Sequence, residues 1–157
     1  MSSQQIFGIQ VVLSFVVYGL VARWYVTPRL AALPLAIALP PLLVLHAFRH
    51  LGLVFLVPTV VGPALPASFA VPAAYGDLLA GLLALAAIAA LRARSSVAIA
   101  LCWLFNVVGL LDLVNAFYQG LSNNVQLGAA YYIPTFIVPA LVITHLMIFR
   151  MLVRHPR

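Results

Sequence analysis

Seven side chains in this sequence have the type and spacing to do chemistry: His46, Arg49, His50, Asp77, Asp112, Asn115 and His145. Three of them share the stretch His46-Ala47-Phe48-Arg49-His50, where the i, i+3, i+4 spacing puts them on one face of an α-helix. Asp112, Asn115 and Gln119 share a second helical stripe, and Asn106 points away from it. A guanidinium facing a carboxylate makes an ion pair. Imidazoles in such a setting carry protons, ligate haem or metal, or simply pack with a hydrogen bond.

The elements that position these groups are membrane spans. Of 157 residues, 66% are hydrophobic and 6% charged, whereas a soluble domain carries roughly a quarter charged residues. The expected fold is therefore all-α, a polytopic transmembrane bundle forming one integral membrane domain over residues 1–157. There is no Lys and no Glu, and seven of the eight Arg residues lie at the ends of apolar runs. Arginines so placed set topology and do not form a phosphate-binding surface, so nucleic acid is excluded as a partner and the lipid bilayer is implied. Cys102, the single cysteine, rules out an intramolecular disulfide and a multi-cysteine metal site. Met1-Ser2-Ser3-Gln4-Gln5 lacks the basic start of a cleavable signal peptide, and the first apolar run is read as a retained helix. The Ala- and Arg-rich, Lys-free composition points to a high-GC bacterium, hence a cytoplasmic (inner) membrane.

A span needs about 20 apolar residues, which divides the chain into five, at about 6–26, 35–57, 77–93, 97–118 and 131–153. Pro58 to Gly76 holds Pro58, Gly62, Pro63, Pro66 and Pro72, and is expected as a Pro-rich loop at the interface between spans 2 and 3. Gly76, Ala80 and Ala84 form a small-residue ridge for close helix approach. Asp77, at the expected start of span 3, reads first as a cap of free helix N–H groups and second as a member of the Arg49 cluster. With the N-terminus outside and the C-terminus inside, Arg23, Arg29, Arg92, Arg94, Arg150, Arg154 and Arg157 all fall on the cytoplasmic side, as the positive-inside bias requires.

Charges within spans cost roughly 2.5–3.5 kcal/mol each, face the protein interior and find partners. Counting back from the outer ends at about 1.5 Å per residue, Arg49 lies roughly 12 Å deep and Asp112 roughly 9 Å. They are level, and an Arg49–Asp112 ion pair is expected. The same count puts His46 about 17 Å and His145 about 21 Å deep, close enough for the two to ligate one haem. Counting from Leu30 instead separates them by roughly 12 Å. His46, His50 and Asp112 would alternatively make a two-histidine, one-carboxylate metal site. His155 reads as an interfacial tail residue. No nucleophile elbow, phosphate loop or acidic catalytic pair is present, which argues against an enzyme.

The run from Leu65 to Asp77, Leu-Pro-Ala-Ser-Phe-Ala-Val-Pro-Ala-Ala-Tyr-Gly-Asp, following His46-Ala47-Phe48-Arg49, resembles a pattern in small uncharacterised bacterial polytopic membrane proteins. That resemblance implies a bacterial membrane protein and brings no activity with it. Three functions stay open. One is a binding or permeation module for a small polar solute or proton, built on His46, Arg49, His50, Asp77, Asp112 and Asn115. The second is a b-type haem or metal-binding redox protein using His46 and His145. The third is a structural or assembly subunit, acting as a homo-oligomer or with a partner membrane subunit.

Overall fold

A computed structural model of the protein describes residues 1–123 and 125–154. Asn124, His155 and Arg157, placed by the sequence in a polar loop and a basic tail, lie outside the described residues. Five helices are long and apolar enough to cross a membrane: α1 (Ser3–Ala31), α2 (Leu35–Leu56), α3 (Ala67–Arg92), α4 (Ala98–Ser122) and α5 (Gly128–Arg154). No strand occurs among the described residues.

Helix α3 is the centre of the bundle, packed on α2 and on α4, while α5 touches both α2 and α4 and carries α1 on its far side. The small residues of α3 make this possible: Ala73, Ala74, Ala80, Gly81, Ala84 and Ala87 are all buried, and small side chains let helix backbones approach. A Cβ added to Gly81 would lie 3.3 Å from the carbonyl oxygen of Ala47. Two apolar clusters result. Leu39, Leu43, Cys102, Phe105 and Ile148 belong to the one nearer the arginine-bearing helix ends; Phe55, Val61, Phe69, Ala74 and Ala130 belong to the other. The polar residues lie between them.

Helix α3 starts at Ala67, ten residues before the expected Asp77. Its prolines explain the difference. Pro66 occupies the N-cap position and Pro72 lies in the second turn, where a missing N–H costs little or a single backbone bond. The connection to α2 shrinks to a short helix at Pro58–Val61 and a turn at Gly62, whose φ is +85°. Asp77 is consequently in mid-helix and caps nothing, which corrects the first reading of that residue.

Helix α2 changes pitch at the polar stretch. From Leu35 to Ala47 it is α-helical, and from Phe48 to Leu56 it tightens to a 3₁₀ helix whose buried residues are Arg49, Gly52 and Phe55. A period of three replaces the period of 3.6. Helices α1 and α5 each contain one wider turn, at Ala22–Val26 and Ile133–Ile137. Each is closed by an i→i−5 bond, Thr27 N–H to Ala22 O and Val138 N–H to Ile133 O, and in each the residue that closes the turn is followed by a proline, Pro28 and Pro139. A proline ring clashes with the carbonyl one α-turn before it, and the wider turn moves that carbonyl aside. Helix α1 thereby runs on through Pro28 to Ala31.

Candidate functional site

Arg49 is the hub. Its Nε donates to Asp77 Oδ1 at 2.7 Å, its Nη1 to the Gly109 carbonyl at 2.8 Å, and its Nη2 to Asp112 Oδ2 at 2.5 Å. Nη1 also lies 3.5 Å from His145 Nε2. Each of the four core helices thus contributes one group: Arg49 from α2, Asp77 from α3, Asp112 from α4 and His145 from α5. The Arg49–Asp112 contact is the depth-matched pair; Asp77 joins it because α3 begins earlier than expected.

Glycines make the room. A Cβ on Gly52 would collide with the Asp77 side chain, and one on Gly76 with the Asp112 carboxylate. At Gly109 it would come 2.9 Å from His145 Cε1 and 3.0 Å from Arg49 Nη1. Any larger residue at these positions displaces a member of the cluster.

The histidines form a second layer. His145 Nδ1 lies 2.7 Å from Asn106 Oδ1, and Asn106 Nδ2 donates back to the His145 carbonyl at 3.2 Å. That return bond fixes which end of the amide is oxygen. His145 therefore carries its proton on Nδ1 and presents a bare Nε2 to Arg49, an arrangement that requires the neutral ring. His46 Nε2 is 2.9 Å from Thr144 Oγ1, a hydroxyl that donates to the Ala140 or Leu141 carbonyl. His46 Nδ1 is buried with no hydrogen-bond partner among the described residues. Phe105 closes the layer, its ring centre 4.9 Å from that of His46 and 5.2 Å from that of His145.

Three expectations are corrected here. The ring centres of His46 and His145 are 4.1 Å apart, whereas imidazoles on opposite faces of one iron need about 6 Å, from metal–nitrogen distances of about 2 Å. The rings meet each other and leave no gap for a porphyrin. His50 is exposed, with Nδ1 2.9 Å from the Ala47 carbonyl of its own helix, because the 3₁₀ turn carries it off the Arg49 face. The set His46, His50 and Asp112 therefore does not converge, and no three His, Cys, Asp or Glu side chains among the described residues are placed to hold a metal. Asn115 is exposed and bonded only along α4, accepting from Gln119 Nε2 at 3.0 Å.

Asn106, Thr144 and Gly109 are members that spacing alone did not pick out. Asn106 does carry a signal: it falls on the buried stripe Cys102, Phe105, Gly109, Leu113 of α4, so an amide there must bond inward.

The cluster forms one wall of a cavity of about 410 Å³ that includes Phe7, Phe55, Phe69, Phe117 and Tyr131 among its lining. Asp77 and Asp112 reach this cavity and Arg49 does not. Side-chain exposures agree: 12% and 15% for the two carboxylates against 1% for the guanidinium. Helix α1 closes one side, its Phe7 stacked on Phe117 and edge-on to Tyr131. Tyr131 Oη donates to Gln10 Oε1 at 2.5 Å, tying α1 to α5 beside the cavity.

The family model described as a domain of unknown function, DUF8737, matches residues 6–153. The chain belongs to the DUF8737 family. Every residue of the Arg49 cluster, its glycine cradle and the histidine layer lies within the DUF8737 match. No curated protein and no solved structure matches the chain.

Proposed function

We propose that this DUF8737 protein is a multi-pass protein of a bacterial cytoplasmic membrane, N-terminus outside and C-terminus inside, and that its Arg49 cluster binds one cation, a small organic cation or a proton, entering from the outer face. Orientation is supported by Arg23, Arg29, Arg92, Arg94, Arg150 and Arg154, which all lie at one end of their helices. Charges of this kind remain on the cytoplasmic side. A cysteine placed at Ser122 is expected to react with an impermeant maleimide from outside the cell; reaction from the inside alone would reverse the topology.

The observation that carries the binding reading is that the larger cavity meets Asp77 and Asp112, while Arg49, 1% exposed, does not line it and reaches only a smaller pocket of about 200 Å³ that it shares with Asp77. With both carboxylates ionised, the one guanidinium balances only one of them and His145 is neutral, so the cluster then holds one negative charge in excess. Packing alone would call for a single aspartate against Arg49. A charge left uncompensated inside a protein costs several kcal/mol, and a cation or proton at the open side of the carboxylates relieves it. The aromatic side chains of the cavity favour a cation with an apolar body, since ring faces attract positive charge. Beyond the cluster the apolar layer of Leu39, Leu43, Phe105 and Ile148 is fully buried, which supports a binding pocket over an open channel.

The test is thermal denaturation in detergent with benzyltrimethylammonium and with its neutral isostere neopentylbenzene. The charged compound is expected to raise the melting temperature of the wild type and not of Asp112→Asn. Equal shifts with both compounds, or none with either, would overturn an organic cation as the ligand and leave the proton alone.

A further inference from the structure

A different groove lies at the opposite end, between α1 and α5. It encloses about 640 Å³ and is walled by Ala22, Arg23, Trp24, Leu146, Met147 and Arg150, among others. We infer that this groove holds the phosphodiester of an anionic phospholipid, with Arg23 and Arg150 on the headgroup and an acyl chain against Leu146 and Met147. The inference rests on the membrane reading given above, and not on the cation site.

Charge accounting comes first. The chain has two acidic side chains, Asp77 and Asp112, and both are bonded to Arg49. No carboxylate side chain is left for any other arginine. Arg23 and Arg150 are exposed into one groove with no hydrogen bond or ion pair among the described residues. By contrast Arg29, three residues beyond the end of the wide turn, turns back on its own helix and donates to the Tyr25 carbonyl at 2.7 Å. Two guanidiniums facing one groove repel each other unless an anion lies between them. In a bilayer the anion at hand is a lipid phosphate, which guanidinium groups engage through paired N–H donors.

The shape fits the same ligand. The wide turn of α1 begins at Ala22, and Ala22, Arg23 and Trp24 all line the groove; such turns recur at binding sites. Trp24 is 58% exposed, the position of an indole at headgroup level. Ile143, Leu146 and Met147 continue the groove toward the membrane centre along α5. Apolar walls below a pair of arginines suit a ligand with a charged head and a hydrocarbon tail. Basic pockets between helices on the cytoplasmic side are where anionic headgroups bind.

Native mass spectrometry of the full chain, titrated with phosphatidylglycerol or phosphatidylcholine, tests this. The wild type is expected to bind phosphatidylglycerol at least tenfold more tightly than phosphatidylcholine. R23Q/R150Q should lose at least tenfold in affinity for phosphatidylglycerol, while R92Q/R94Q, which removes the same charge at the same end, should lose less than threefold. R23K/R150K keeps the charge and serves if the glutamine variant does not fold; it should bind more weakly than wild type but retain the preference for phosphatidylglycerol. Equal losses in R23Q/R150Q and R92Q/R94Q would mean diffuse attraction and overturn the groove. Binding of inorganic phosphate in place of lipid, or no preference between the two lipids in either wild type or R23K/R150K, would overturn it too. Cation binding at the other end is unaffected by any of these outcomes, so the two readings fail separately.

Discussion

Arg49 reaches across the bundle to Asp112, 63 positions away in sequence, and donates from Nη2 to Oδ2 at 2.5 Å. Its other edge is held by Asp77, so the unit is an arginine between two aspartates and not a two-member bridge. Removing Arg49 strands both carboxylates. Arg49→Met is expected to cost about 3–5 kcal/mol, seen as loss of folded protein on size exclusion in detergent. Asp112→Asn leaves Arg49 balanced by Asp77 and should melt at or above the wild-type temperature. The exchange R49D/D112R, which a simple pair would tolerate, places a new carboxylate beside Asp77 and should not recover stability. Full recovery by the exchange would show that Asp77 is not a partner.

The bond pattern around His145 makes a spectroscopic prediction. With Asn106 Oδ1 at 2.7 Å from Nδ1, the proton belongs on Nδ1. Nitrogen-15 NMR of histidine-labelled protein should show the His145 ring in the Nδ1–H form, and that signal should change in Asn106→Leu. Leaving this buried N–H without an acceptor should cost about 1–3 kcal/mol. An Nε2–H signal for His145 would contradict the assignment.

Two glycines of the cradle should behave opposite to one outside it. Gly76→Ala and Gly109→Ala push a methyl group against Asp112 and against Arg49 and His145, and are expected to lower the melting temperature and weaken cation binding. Gly8→Ala meets nothing within 4 Å and should stabilise α1 by about 0.5–1 kcal/mol through reduced chain entropy. Uniform effects at all three positions would show that the cradle is loose.

Four of the five helices were legible in the sequence to within a few residues at most of their ends, because long apolar runs bounded by Arg or polar residues leave little choice. Helix α3 was not, since Pro66 and Pro72 read as breakers when both fall where a helix tolerates proline. That one boundary also decided Asp77. Depth counting brought Arg49 to Asp112 and His46 near His145 because both pairs were measured from the same end. It was blind to pitch: His50 joins the stripe of His46 and Arg49 only in a true α-helix, and α2 is 3₁₀ there. Asn106 was set aside as pointing away from the Asp112 stripe and Thr144 escaped notice, because the roles of neutral residues depend on which helix faces them.

The contact between His46 and His145 bears on colour. The purified protein should show no Soret band, with or without added haem during expression. A Soret band abolished by His46→Ala or His145→Ala would mean that the two rings part to admit an iron.

A cation that replaces a proton at the carboxylates must compete with it. Affinity for benzyltrimethylammonium is therefore expected to rise with pH until the site is fully deprotonated, and to fall as acid protonates it. A pH-independent affinity would place the ligand away from Asp77 and Asp112.

The most direct measurement is isothermal titration of benzyltrimethylammonium into the wild-type protein and into Asp112→Asn. A site with one excess negative charge predicts one cation bound per chain in the wild type and none in Asp112→Asn, with both proteins folded. Equal binding to the two proteins, or no binding to a folded wild type, would contradict it.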